Sequence, residues 1–202
     1  MSSTQVPTTT TTDATHLWLT DDEQHCALLA QDPAAFVIGF ILDQQVTVQK
    51  AFRGPADLLE RIGTLEPAAI ADMPLEELTE AFQFKPALHR FPVAMARRVH
   101  AAMRIITDMY GGNAARIWWE ADGLEDLEHR LMQLPGFGGA KITSIIALLA
   151  RQCGVPITGW EDRIPEFGTL GDVDSPEALA AYQARKRAVK AAARAAAAAS
   201  GD

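Results

Sequence analysis

Apolar residues recur every three or four positions along most of this chain, and strict apolar/polar alternation is nearly absent. That period is helical. Capping residues divide it into segments. Thr20 stands before a segment running to Gln31, with Asp21, Asp22 and Glu23 in its first turn, where carboxylates suit the positive helix end. Asp32 and Pro33 open the next, whose Phe36, Val37, Phe40 and Ile41 make an apolar stripe. A third segment covers Thr47 to Ile62, and Gly54-Pro55 predicts a disturbance in its middle. Pro67 to Ala71 and Pro74 to Phe82 read as two short helices with proline at the start of each. Pro92 opens a long helix to Tyr110, which Gly111-Gly112 ends. A turn with Trp118 and Trp119 follows, then helices from Leu124 to Gln133 and from Ile142 to Cys153. From Gly154 to Asp174 the period is lost to Gly, Pro and Asp, predicting loop. Residues 176–199 predict an Ala-rich helix carrying Lys and Arg.

The chain has 202 residues, 48% of them hydrophobic, enough for one sizeable core. Ala, Leu, Glu, Arg and Met outweigh β-branched and aromatic residues, so the expected fold is all-α. Three parts are expected: a disordered Ser/Thr-rich tail over 1–15, a helical domain over 16–175, and a basic Ala-rich helix or tail over 176–202. The start lacks the basic and apolar runs of a signal peptide, and no apolar run approaches membrane-spanning length. The expected location is the cytoplasm. Cys26 and Cys153 are far apart and read as small buried hydrophobes. Two cysteines cannot supply the four ligands of an iron–sulfur cluster.

The formal charge of −8 argues against non-specific affinity for nucleic acid. Charge is uneven, however. Lys85, His89, Arg90, Arg97, Arg98, His100 and Arg104 gather in one segment, and Arg185, Lys186, Arg187, Lys190 and Arg194 in another. A local basic face is compatible with an acidic whole.

Between two helical segments lies Leu134-Pro135-Gly136-Phe137-Gly138-Gly139-Ala140-Lys141. Glycines at this spacing allow backbone conformations that side chains forbid, and the following helix starts with unpaired amides. A positive helix end with outward N–H groups is an anion site, for which DNA phosphate is a natural ligand. A plain turn between helices is the alternative.

The order of elements resembles the helix-hairpin-helix DNA glycosylases, the superfamily of endonuclease III, adenine glycosylase and 3-methyladenine glycosylase II. Ile41-Leu42-Asp43-Gln44-Gln45-Val46-Thr47-Val48 resembles that family's early "LxQQ" helix end, and Pro67 to Met73 its "P..ia.a" segment. Pro92 to Gly112 resembles its long helix, and Leu131 to Lys141 its hairpin. Asp43 to Val46 and Lys85 to Pro92 further resemble an actinobacterial branch.

The resemblance implies a DNA-glycosylase-like helix bundle that flips a damaged base from duplex DNA and hydrolyses its bond to the sugar. A monomer is expected. The amides of Gly136, Gly138 and Ala140, with Phe137 and Gly139 between them, would hold a phosphate, and Lys141 would meet the DNA backbone. Carbonyls of Met132, Leu134 and Phe137 would face an alkali ion. Gln44 or Gln45 would fill the hole left by the extruded base, the alternative being a helix cap. His89 and Arg90 are candidates for phosphate or pocket contacts.

The chemistry also needs a carboxylate near the developing sugar cation. The family's aspartate falls in the stretch Ile157 to Ile164, where the candidates are Asp162 and Glu161. Asp162-Arg163 reads equally as a surface ion pair, and the histidine usual in this motif is missing. The position of the family's lyase lysine is Ala140, which implies base removal without strand cleavage. A DNA-binding module without catalysis is the alternative.

Overall fold

The computed structural model describes residues 6–11 and 14–199, and among them every regular element is helical. In chain order these are α1 (Glu23–Gln31), α2 (Pro33–Leu42), α3 (Val48–Ile62), α4 (Pro67–Asp72), α5 (Leu75–Gln83) and α6 (Pro92–Tyr110). There follow α7 (Arg116–Trp119), α8 (Leu124–Met132), α9 (Gly139–Gln152), 3-10 turns at Glu161–Arg163 and Leu170–Asp172, and α10 (Pro176–Ala199). The all-α class follows directly.

Helix α2 is the centre of the bundle. All ten of its residues are buried, and α1, α3 and α6 pack around it. A helix apolar on every side belongs inside. Phe36 and Phe40 meet edge-on with ring centroids 4.9 Å apart, Phe40 meets Phe52 of α3 at 4.9 Å, and Phe36 meets Trp118 at 5.6 Å. Each aromatic pair of this geometry adds about 0.5–1.5 kcal/mol beyond its burial. Trp118 is therefore core, while Trp119 is partly exposed.

Several local expectations change. The carboxylate that caps α1 is Asp22, accepting from the His25 amide at 3.1 Å, and Thr20 is buried two residues earlier. Asp32 caps α2 as expected, accepting from the Ala34 and Ala35 amides at 2.8 and 3.1 Å. Gly54-Pro55 lies inside an unbroken α3. The reason is packing: a Cβ at Gly54 would overlap Leu42 Cδ1, so glycine here lets α3 approach the end of α2 closely. Gly54→Ala is expected to lower stability by up to about 2 kcal/mol, since overpacking against the buried Leu42 is partly offset by the roughly 1 kcal/mol that alanine gains over glycine in a helix, read as a fall in denaturant midpoint at constant slope.

The expected disordered tail is not seen over the described part of 1–15. Thr10 and Thr11 are buried, and the Thr11 amide donates to the Ala30 carbonyl at 3.2 Å. Backbone pairing with α1 fixes a segment that composition alone marks as loose. Residues 1–5 and 12–13 lie outside the described residues. The boundary at 176 also shifts. Leu179 and Tyr182 of α10 are buried, and Gln183 Nε2 donates to Gln49 Oε1 at 2.6 Å, so the first turns of α10 belong to the body. Its residues from Arg187 to Ala196 are exposed.

No single helix among the described residues is long and apolar enough to cross a membrane. The pair α1 and α2 reaches that length but bends by 114°.

Candidate nucleic-acid interface

The end of α2 organises the site. Its last carbonyls lack helical partners and, being buried, cannot reach water. The Asp43 amide donates to the Gly39 carbonyl at 3.1 Å, and Lys141 Nζ donates to the Phe40 carbonyl. Gln44 serves the other two, donating from Nε2 to Ile41 at 2.9 Å and from its amide to Leu42 at 2.7 Å. Each such bond avoids the roughly 1–3 kcal/mol cost of an orphaned buried acceptor.

These partners draw three elements together. Gln44 Oε1 accepts from Arg98 of α6. Its backbone carbonyl accepts from His89 Nε2–H at 3.0 Å, while His89 Nδ1 accepts from the Phe91 amide at 3.0 Å. That pattern fixes one neutral tautomer, and burial lowers the His89 pKa in the same direction. Gly136 of the hairpin sits against the same glutamine. It has φ +85°, and a Cβ there would lie 2.7 Å from Gln44 Nε2.

Three of the residues expected at DNA have partners within the protein. Gln44, His89 and Lys141 face inward and bind protein carbonyls or amides, because buried helix ends must be capped before any ligand is served. Gln45 is different. It is exposed and, among the described residues, alone adopts positive φ without being glycine, at +56°. Such strain is found where surroundings hold a side chain in a set direction. Arg90 is also exposed, its guanidinium 4.7 Å from the Phe91 ring centroid.

The hairpin supplies the backbone half of the site. The first helical bonds of α9 come from the Lys141 and Ile142 amides, both to the Gly138 carbonyl at 2.9 and 3.0 Å. The Gly139 and Ala140 amides precede them at an exposed, positive helix end. The Leu134 carbonyl accepts from the Phe137 amide at 3.2 Å, which closes the turn and leaves that oxygen one lone pair. Neutral carbonyls of Met132, Leu134 and Phe137 suit a large monovalent ion by donor chemistry. Among the described residues no group of three His, Cys, Asp or Glu side chains could hold a metal ion.

The basic segment of α6 is largely consumed by the fold. His100 Nε2 donates to the Met73 carbonyl at 3.1 Å and Arg104 to the Ala71 carbonyl at 3.0 Å, capping the end of α4. Lys85, Arg90 and Arg97 remain exposed. Basic residues are placed here by helix ends as much as by surface charge.

Beside the hairpin, two adjoining clefts of about 210 and 360 Å³ share Ala140, Ser144, Tyr182 and Lys186 as walls. The inner one is also lined by Asp43 and Lys141, the outer one by Arg163 and Phe167. Burial pushes the Lys141 ammonium down to about 8, although Asp43 opposes the shift. Burial pushes the Tyr182 hydroxyl up to about 12, with Asp43 adding to it and a hydrogen bond from Ser144 opposing.

Asp162 and Glu161 stand exposed on a 3-10 turn and line neither cleft. Arg163 pairs with Glu128 of α8, not with Asp162. Nothing in the sequence marks Ser144 or Tyr182 as site residues, and Arg98 stands there only as one of a basic run. Asp43 lay within the quoted helix-end motif, but nothing in the period showed that α9 and α10 fold over it.

Comparison with protein families, with curated proteins and with solved structures gives no match to this chain.

Proposed function

We propose that this protein binds duplex DNA through the α8–α9 hairpin, extrudes one damaged base, and hydrolyses its bond to deoxyribose without cutting the strand. The carrying observation is the exposed, strained Gln45 next to a hairpin whose Gly136 packs against Gln44 at the same helix end. In this reading the Gly139 and Ala140 amides, flanked by Gly136 and Gly138, take a phosphate, and Arg90 takes another. Gln45 fills the vacated space, since a planar amide can both occupy a base-sized hole and bond the orphaned partner base. Met132, Leu134 and Phe137 would hold an alkali ion, which would supply positive charge at the phosphate. The chain would act as a monomer in the cytoplasm, on nucleoid DNA.

Hydrolysis needs a carboxylate at the sugar, for which the resemblance offers Asp162 or Glu161. A second reading, a module that recognises distorted DNA without cleaving it, is favoured by the exposure of both acids outside the clefts.

The test is base release from duplexes bearing uracil, alkylated purines, oxidised guanine or mismatched adenine, scored with and without alkali. Release that needs alkali for strand scission is the expected result, and its loss in Asp162→Asn with binding intact would identify that acid. Binding without release from any duplex selects the module. Affinity should fall with salt, with a slope of about −0.9 per phosphate contacted. Affinity that is flat in salt, or no binding at all, removes DNA from the account.

A further inference from the structure

Asp43 is the one carboxylate among the residues that line the two clefts beside the hairpin. It is partly buried at the C-cap of α2, with φ −72° and ψ 67°. Its amide is spent on the Gly39 carbonyl, but its carboxylate makes no hydrogen bond or close ion pair among the described residues. The neighbouring polar groups are committed. Gln44 and Lys141 cap α2, and Tyr182 is bonded to Ser144. A partly buried carboxylate without a hydrogen-bond donor is unusual, since such groups ordinarily have one.

The position suits a chemical role. Asp43 precedes by two residues the exposed Gln45, and it shares its cleft with Ala140, whose amide stands at the free end of α9. A nucleotide pushed out by Gln45, with its phosphate on the hairpin, would put its sugar at this cleft. The outer cleft, at about 360 Å³, is on the scale of small-ligand pockets, roughly 300–1,000 Å³, and the inner one that holds Asp43, at about 210 Å³, adjoins it. Lys141 and Lys186 line the same cleft, so its walls carry one carboxylate and two lysine side chains.

We propose that Asp43, rather than Asp162 or Glu161, is the catalytic carboxylate that faces the extruded sugar. This rests on the reading of the protein as a base-removing enzyme. The bond between C1′ and the base nitrogen breaks with its electron pair going to the base, which takes a proton from solvent. The Asp43 carboxylate stabilises the cation left on the sugar. Water then bonds to C1′, and its proton passes to Asp43 and on to solvent.

The test needs no knowledge of the lesion. Affinity of the full chain is measured for a duplex carrying a cationic pyrrolidine abasic analogue, and for one carrying the neutral tetrahydrofuran analogue. The wild type should prefer the cation by on the order of 100-fold, the lower end for transition-state analogues. Asp43→Asn should abolish that preference while leaving affinity for the neutral site unchanged, and Asp162→Asn should keep it. Asp43→Ser serves as the second variant should the asparagine substitution unfold the chain. Preference that survives in a folded Asp43 variant, or a wild type that binds both duplexes equally, overturns the assignment of Asp43 and leaves DNA binding standing. Failure of the wild type to bind either duplex overturns the underlying reading as well.

Discussion

Gly136→Ala is expected to lower stability by about 2–4 kcal/mol and to weaken duplex binding beyond what the lost folded fraction explains. Two costs combine. A side chain at φ +85° carries backbone strain of order 1–3 kcal/mol, and a Cβ placed 2.7 Å from Gln44 Nε2 adds overpacking of similar size. Gln44 cannot swing aside freely, because the same nitrogen donates to the Ile41 carbonyl and the amide oxygen accepts from Arg98. Relief by movement therefore uncaps α2. A double-mutant cycle separates the terms. Gln44→Ala should be destabilising alone, yet in the Gly136→Ala background it should cost much less, since removing the glutamine side chain also relieves the overlap that the alanine creates. Chemical denaturation of the four proteins checks this. Strict additivity of the two substitutions would show that the hairpin and the helix end do not press on one another.

The same junction shows what the sequence could and could not disclose. Helix period, the Asp32-Pro33 start and the Gly111 stop identify most of the helical segments, because those signals are local. The hairpin was legible for the same reason: the turn and the start of α9 are encoded within eight residues. Direction was not legible. Gln44 and Gln45 are equivalent as letters, and only the burial of α2 and the arrival of Arg98 and His89 turn one inward and leave the other exposed. Charge misled in a related way. The segment from Lys85 to Arg104 reads as a basic face, yet His89, Arg98, His100 and Arg104 bond to carbonyl or amide oxygens of other elements. A cation near a helix end satisfies orphan carbonyls as readily as it meets a phosphate, and composition does not distinguish the two. Asp43 was hidden because its cleft is built from α9 and α10, about a hundred residues and more away along the chain.

Lys141 gives the clearest pH signature. Its ammonium is pushed down to about 8 by burial, from an ordinary 10.5, while it caps the Phe40 carbonyl. A base with a lowered folded pKa binds fewer protons folded than unfolded between those values. Stability therefore carries the full penalty below pH 8 and recovers as pH rises toward 10.5. The recovery is on the order of 3–4 kcal/mol at most. Tyr182 and Cys153 act oppositely. Burial pushes both up to about 12, so the unfolded state loses their protons first and stability falls above their ordinary values of 10.0 and 9.0. The raw profile mixes these signs, and the difference from Lys141→Met isolates the lysine. Below pH 8 methionine escapes the cost of burying a charge but leaves the Phe40 carbonyl without its donor. From pH 8 to 10.5 the wild type should gain on the variant as the amine becomes neutral and keeps its hydrogen bond. Denaturant midpoints at intervals across that window, together with the pH dependence of the lysine Cε shift, measure both quantities. A difference curve that stays flat, with the Cε shift titrating near 10.5, would mean that the amine stands in water and that α2 ends without it.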